Sequence, residues 1–305
     1  MRAWLRLLRV PNLATAAADA LAGYLVVATP PALGWPPSAC GFAVAAVVFL
    51  YAAGVVLNDV CDVELDARER PERPLPSGAV STRAAANLAR ILFGLGAAAA
   101  CGAAFAARSP WPALVGAGLT AAIWLYDRHA KGTAAGPLVM GSCRGLAWLL
   151  GMAAAGGPTA AQWSIPAGMA AYVAGITLVA RDEAGRSRVG TLLAGAGVMA
   201  AGLAIAAAFV WAPMRIAATV AGRPLPVNTW LALWGVIAAS IVLRVIVAAL
   251  DPSPGRVRAA VGNAIMSIIT LDAILVLAAC GEQWAVVVLL LLGLFVLGRQ
   301  FVPPT

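Results

Sequence analysis

The sequence predicts an all-α, multi-pass integral membrane bundle of nine or ten transmembrane helices. Two bulk properties support this fold class: 62% of the 305 residues are hydrophobic and only 11% are charged, and the mean hydropathy is +0.89. A soluble domain is nearer half apolar and a quarter charged, so a water-soluble globular enzyme is disfavoured. We expect residues 1–305 to form a single transmembrane domain.

The third observation is a series of apolar runs bounded by proline, glycine or charged residues. Their lengths favour helices over strands, because a span of the hydrocarbon core needs roughly 20 apolar residues. The last two runs could instead form one span plus an interfacial helix, which leaves the count at nine or ten. The runs cover 12–29, 39–57, 84–107, 110–126, 136–155, 164–180, 189–211, 228–249, 257–279 and 283–300.

The basic residues predict the orientation of these helices. With the N-terminus inside, fifteen of the 21 basic residues lie on inner segments and three on outer segments. Cytoplasmic loops of membrane proteins carry such an excess, so the net charge of +8 indicates topology and no nucleic-acid partner. The loops near 58–83, 127–135 and 181–188 are then predicted to share the cytoplasmic face.

The strongest local signal is an acidic segment that follows the second run. Six of the 13 acidic residues lie between residues 59 and 72. If the second helix continues to residue 66, then Asp59, Asp62 and Asp66 lie within about 60° of one another, and Glu64 points away. Carboxylates without histidine or cysteine suit Mg²⁺, which commonly binds substrate phosphates as well.

Prolines and arginines follow these carboxylates. Pro71, Pro74 and Pro76 end the helix, and a guanidinium binds phosphate through forked hydrogen bonds. We therefore interpret the segment as a site for a Mg²⁺-bound diphosphate; a solvated juxtamembrane loop with scattered ion pairs is the alternative. The arginines concerned are Arg68, Arg70 and Arg73.

The same segment resembles a known motif. Asn58-Asp59-x-x-Asp62-x-x-x-Asp66, followed by Arg70-Pro-x-Arg73-Pro-x-Pro-Ser-Gly, resembles the first aspartate motif of the UbiA superfamily of intramembrane prenyltransferases. The variant loops and the opening segment 9–13 most resemble the EboC-like branch of that superfamily. This resemblance implies Mg²⁺-dependent transfer of a polyprenyl group from a prenyl diphosphate to an unidentified small-molecule or lipid acceptor. It also implies a bacterial inner membrane, with the N-terminus and active-site loops cytoplasmic.

The resemblance extends to two further loops. Tyr126 and Lys131 resemble the Tyr-x(4)-Lys loop of the family. The second aspartate motif departs from the family pattern, because Arg186 stands where an aspartate is expected after Asp182 and Glu183. Either Glu183 compensates, or Arg186 contacts phosphate directly, or only one Mg²⁺ binds tightly; an inactive relative is also possible.

These considerations assign the site residues. The metal ligands are Asp59, Asp62, Asp66, Asp182 and Glu183, and the catalytic residues are Asp59, Asp62, Asp66, Lys131 and Tyr126. The substrate-binding residues are Asn12, Asn58, Arg68, Arg70, Arg73, Arg144 and Arg186. The aromatic candidates for stabilising an allylic cation are Tyr51, Tyr126, Trp124 and Trp148.

Four charged residues fall within apolar runs, where each must face protein or a wet cavity. Asp19 and Arg144 could line an acceptor pocket together with Asn12, whereas structural pairing is favoured for Arg244 and Asp272. Gly141 and Gly145 are predicted to serve helix packing.

Three other functions are compatible with parts of the pattern. A membrane transporter would also contain buried charges, and a non-catalytic relative would bind a prenyl lipid without releasing diphosphate. Phosphoribosyl transfer to a polyprenyl phosphate is the rival reaction among enzymes. The arginine-proline turn after the aspartates favours prenyl transfer over the transporter.

Overall fold

The computed structural model describes residues 2–29, 37–181, 185–211, 219–220 and 223–301. Its helices are α1 Arg2–Leu7, α2 Val10–Ala28, α3 Ser38–Cys61, α4 Val63–Glu69, α5 Thr82–Ala107, α6 Trp111–Leu125, α7 Gly136–Ala154, α8 Ser164–Ala180, α9 Val189–Ala207, α10 Val227–Leu250, α11 Pro254–Cys280 and α12 Glu282–Phe301. A π-helical turn, Tyr126–Ala130, follows α6, and a 3₁₀ turn, Ala208–Trp211, follows α9. Two short strands, β1 Thr219–Val220 and β2 Arg223–Pro224, pair antiparallel.

The predicted helical membrane bundle is confirmed. Each of the ten apolar runs coincides with a helix, and eight described helices are long and apolar enough to cross a membrane. A further apolar helix, α8, is shorter. The last two runs form separate helices, α11 and α12, each of which meets the length and hydropathy of a span.

Glycines allow α7 to pack closely on both sides. A Cβ on Gly141 would overlap the carbonyl oxygen of Ala170 in α8, and one on Gly145 would lie 3.0 Å from the Pro166 oxygen. On the opposite side, a Cβ on Gly151 would overlap the carbonyl oxygen of Ala20 in α2. Small residues permit such backbone contact between membrane helices, so the predicted packing role of Gly141 and Gly145 is confirmed.

The C-terminal helices return to the first span. Both α11 and α12 pack against α2, and the Sγ of Cys280 donates a hydrogen bond to the Leu25 oxygen at 3.1 Å. The hydroxyl of Tyr172 in α8 donates to the Ala264 oxygen of α11 at 2.8 Å. One cavity lies between these helices and is lined by residues of α2, α3, α6, α7, α8 and α11.

The loops at one end of this space contact one another. The Nη2 of Arg181 donates to the Gly132 oxygen at 3.0 Å, and the Nδ2 of Asn58 donates to Asp127 at 2.8 Å. The predicted grouping of the three loops on one face is confirmed for their described residues.

Candidate active site

A cavity of about 550 Å³ occupies the space between the six helices. Its mouth is formed by charged side chains of the grouped loops, among them Asp62, Asp66, Arg70, Arg73 and Lys131. Farther in, the walls are mainly apolar and include Val47, Leu119, Ile123, Val173, Ile176, Val261, Ile265 and Ile268. A charged mouth above an apolar interior suits a ligand with an anionic head and a hydrocarbon tail.

The aspartate segment is nearly the continuous helix that its spacing predicts. Helix α3 ends at Cys61, Asp62 has φ −93° and ψ 3°, and α4 begins at Val63. The backbone bonds still run four residues back, because Asp62 N donates to the Asn58 oxygen at 3.0 Å and Asp66 N to the Asp62 oxygen at 2.8 Å. Glu64 is exposed on the other side, as predicted.

Each of the three aspartates is paired with a cation from a different part of the chain. Arg9 Nη2 lies 2.7 Å from Asp59 Oδ1. Arg73 Nη1 lies 2.9 Å and 2.7 Å from the two carboxylate oxygens of Asp66. The third pair joins Lys131 to Asp62.

The three aspartates bind basic side chains instead of gathering around one point, which the sequence pattern did not predict. Among the described residues, no three acidic, histidine or cysteine side chains are gathered around a point that could hold a metal ion. Asp62 and Asp66 line the cavity, whereas Asp59 does not. The carboxylates therefore face basic groups rather than one another.

Arg9 is a member of the site that the predicted residue set omitted. It lines the cavity mouth and occupies the left-handed region of backbone conformation, with φ 44° and ψ 49°. A residue with a Cβ adopts this conformation at a cost, which the surrounding structure must offset. This conformation, at the start of α2, directs the Arg9 side chain toward Asp59. In the sequence, the one indication of a role for Arg9 is its position in the segment 9–13 that resembles the EboC-like branch.

Asp127 is a second omitted member. It lies in the π-helical turn, is 9% exposed, and lines the cavity beside Asn58. Burial raises the pKa of Asp127 to about 6, although the hydrogen bond from Asn58 and the charge of Lys131 oppose that shift. A π turn changes side-chain direction in a way that no helical periodicity predicts.

Of the four aromatic candidates, the structure brings two to the cavity. Tyr51 and Tyr126 line it. Trp148 is fully buried in the helix core, and Trp124 is 51% exposed; neither lines the cavity. Burial, with a smaller effect of Asp127, raises the pKa of Tyr126 to about 12, so its hydroxyl is a hydrogen-bond donor at neutral pH.

The remaining predicted residues divide into three groups. Asn12, Asn58, Arg70, Arg73 and Arg144 line the cavity, as does Arg181, which the predicted set omitted. Arg68 and Arg186 are exposed and do not line it, since their positions in α4 and beyond α8 direct them elsewhere. Asp182 and Glu183 lie outside the described residues.

The donor set at the mouth fits Mg²⁺. The available ligands are carboxylate oxygens of Asp62 and Asp66, which are the hard donors that this ion prefers. Arg73 engages both carboxylate oxygens of Asp66, whereas Lys131 engages one oxygen of Asp62 and leaves the other available to a metal ion.

Comparison with known proteins identifies relatives of this chain. The family model described as the UbiA prenyltransferase family matches residues 17–261. Digeranylgeranylglyceryl phosphate synthase of Sulfolobus acidocaldarius is 39% identical over 97 residues, which are 32% of this chain and 34% of the relative. The match thus spans about a third of the length of that curated relative.

Solved structures share the fold. A digeranylgeranylglyceryl phosphate synthase superposes with a TM-score of 0.63 at 18% identity, over 92% of this chain and 98% of that chain. A UbiA homologue from Archaeoglobus fulgidus bound to DMAPP and Mg²⁺ superposes with a TM-score of 0.56 at 16% identity, over 90% and 98%. At these identities the likeness establishes the helical architecture.

Proposed function

The chain belongs to the UbiA prenyltransferase family, and on this premise we propose that it transfers a polyprenyl group from a prenyl diphosphate to an acceptor within the membrane. The observation that carries the proposal is the set of three carboxylate–cation pairs at the mouth of an apolar cavity. Such a mouth can take a metal-bound diphosphate, and the cavity can take the hydrocarbon tail.

The paired arrangement suggests how the mouth accepts its ligand. Asp62 and Asp66 would hold Mg²⁺, with Asp59 behind them, and Asp182 and Glu183 are the proposed ligands of a second ion. Their present partners, Lys131, Arg73 and Arg9, would turn to the diphosphate oxygens. Bound Mg²⁺ would neutralise charge on the departing diphosphate. Carboxylate–cation pairs would thus be replaced by carboxylate–metal and cation–diphosphate pairs, so that no buried charge is left without a partner.

The residues around the donor's first carbon have separate roles. Lys131 and Arg70 stabilise the charge that gathers on the leaving group. The ring faces of Tyr51 and Tyr126 stabilise the allylic cation that remains. The apolar walls exclude water that would otherwise capture this cation.

The acceptor and the membrane setting also belong to the proposal. Basic residues concentrated on the mouth side support an orientation with the mouth and the N-terminus in the cytoplasm. A bacterial inner membrane and the EboC-like branch remain predictions from the sequence. Relatives named digeranylgeranylglyceryl phosphate synthase support an acceptor that carries its own polar head.

Diphosphate release provides the decisive test. Purified protein in detergent is supplied with geranylgeranyl diphosphate and Mg²⁺, and released diphosphate is measured with candidate acceptors and with EDTA. We expect diphosphate release to require Mg²⁺. The Asp62→Asn substitution should lower the release rate at least 100-fold, because Asp62 lines the mouth of the cavity. Glu64→Gln is the matched control, since Glu64 is exposed two residues away and should leave the rate unchanged.

Other outcomes would favour the alternatives. Tight binding of the diphosphate without any release would support a non-catalytic prenyl-lipid binder. Movement of a solute across proteoliposomes without release would support a transporter. Full activity of Asp62→Asn would overturn the site assignment.

A further inference from the structure

Three charged side chains meet inside the bundle, below the charged mouth. Asp19 of α2 and Asp272 of α11 are fully buried, and the side chain of Arg144 in α7 is 10% exposed. Asp19 lies ten residues beyond Arg9, which places it about 15 Å along α2 from the mouth. The proposed diphosphate chemistry makes no use of this cluster.

The three helices direct these residues to the inner end of the cavity. Along α11, Val261, Ile265 and Ile268 line the cavity, and Asp272 continues the same face by one further turn. Asp19 and Arg144 line the cavity themselves. Close contact between α2 and α7 at Gly151 brings the two side chains within ion-pairing distance.

The cluster has hydrogen-bonding capacity left over. Arg144 Nη1 donates to Asp19 Oδ2 and to the Thr15 oxygen, but its Nε and Nη2 have no partner among the described residues. Asp19 Oδ1, both carboxylate oxygens of Asp272 and the Nε1 of Trp148 are buried without a well-formed hydrogen bond, although the two carboxyl groups and the indole lie beside one another. A buried polar atom without a partner is costly, and at this depth the cost points to a ligand or to a functional requirement.

We infer that Arg144 and Asp19, backed by Asp272, form a second polar subsite that binds a hydroxyl group of a substrate. A hydroxyl accepts a hydrogen bond from the unpaired guanidinium N–H groups and donates one to the unpaired carboxylate oxygen. A carboxylate or phosphate would be repelled by Asp19 and Asp272, and an ammonium group has no lone pair to accept a hydrogen bond from the guanidinium of Arg144. That the hydroxyl belongs to a substrate rests on the proposed function, whereas the hydroxyl-binding property itself does not.

Matched neutral probes test the subsite directly. The protein is reconstituted in nanodiscs, and the binding of 4-butylphenol and of butylbenzene is measured by equilibrium dialysis against empty nanodiscs. We expect about a tenfold preference for the phenol, since hydrogen bonds to charged groups are among the stronger ones. Neither Mg²⁺ nor a prenyl donor is present, so this result is independent of the diphosphate-release test.

Variants separate the subsite from general partitioning. Arg144→Met should reduce the preference to less than threefold, whereas Arg244→Met, on the exposed side of α10, should retain it. If Arg144→Met fails to fold because it leaves two carboxylates unpaired, the charge-balanced variant D19L/R144M/D272L serves in its place. Wild-type protein without a preference, or either cluster variant with the full preference, would overturn the inference.

Discussion

At the scale of single residues, the mouth of the cavity is distinguished by buried carboxylates. Asp59 and Asp66 are each 5% exposed and each pairs with an arginine. Asp127 differs, because its carboxylate accepts a hydrogen bond from the neutral amide of Asn58 and no ion pair offsets its burial within the described residues. Burial therefore places the pKa of Asp127 above the usual range of an aspartate.

The pH dependence of stability should report on Asp127. Its folded pKa of about 6 exceeds the value of roughly 3.9 in an unfolded chain, so the folded state binds the proton more tightly. Wild-type protein should gain stability relative to Asp127→Asn as the pH falls from 7 to 4, by about 2 kcal/mol. The check is the difference in melting temperature between the two proteins across that range.

The asparagine variant is a close control, since its side chain has the same size and can still accept the bond from Asn58. A constant difference between the two proteins from pH 7 to pH 4 would contradict the shifted pKa of Asp127.

Residues of this kind also mark the limit of sequence reasoning. The helical spacing of Asp59, Asp62 and Asp66 follows from the residues, because a helix has a fixed angular period. The partners of these aspartates do not, because Arg9 and Lys131 are 50 and 69 residues away from them. Basic residues are plentiful in the predicted inner loops, and only folding selects among them.

At the scale of secondary structure elements, helix α7 is the element on which both sites depend. Lys131 lies in the turn that leads into it, Arg144 lies within it, and it contacts α2 on one side and α8 on the other. The glycines on its two faces bring it close enough for Arg144 to reach Asp19. Its position is therefore sensitive to a single methyl group.

Gly151→Ala tests this dependence. The added Cβ would overlap the Ala20 carbonyl oxygen, and the backbones of α2 and α7 would have to separate. Overpacking of this kind costs about 1–3 kcal/mol. Thermal unfolding in detergent should show a lower melting temperature.

Gly94→Ala is the matched control on α5, because nothing lies within 4 Å of a Cβ at that position. It should leave the melting temperature unchanged or raise it, since alanine favours a helix by about 0.5–1 kcal/mol over glycine. Equal effects of the two alanines would argue against close packing of α2 and α7.

At the scale of the whole molecule, the charge asymmetry predicts the orientation in the membrane. Ala134 is exposed in the loop beside Lys131, and Ser109 lies between α5 and α6 at the opposite end. With a cytoplasmic mouth, these positions must lie on opposite sides of the membrane.

Cysteine labelling can test this orientation. In a variant with the five native cysteines replaced by alanine, a membrane-impermeant maleimide added to intact cells should label Ser109→Cys. It should label Ala134→Cys only after permeabilisation. The reverse pattern would mean that the mouth opens outward.

The amino-acid sequence by itself determined the membrane class, the ten helical runs and the identity of the aspartate segment. These properties depend on local composition and on helical periodicity, which a chain carries along its length. It also indicated that Asp19 and Arg144, together with the polar Asn12, face a pocket, because charged and polar groups in hydrocarbon must turn inward.

Only the tertiary structure decided which of these groups meet. It paired Asp59 and Asp62 with cations 50 and 69 residues away. It also placed Tyr51 and Tyr126 at the cavity instead of Trp124 and Trp148, and left Arg68 and Arg186 outside. It also joined Asp272 to Asp19 and Arg144, residues more than 100 positions away from it. The physical reason is that contact between helices depends on side-chain volume and crossing geometry, which no single helix specifies.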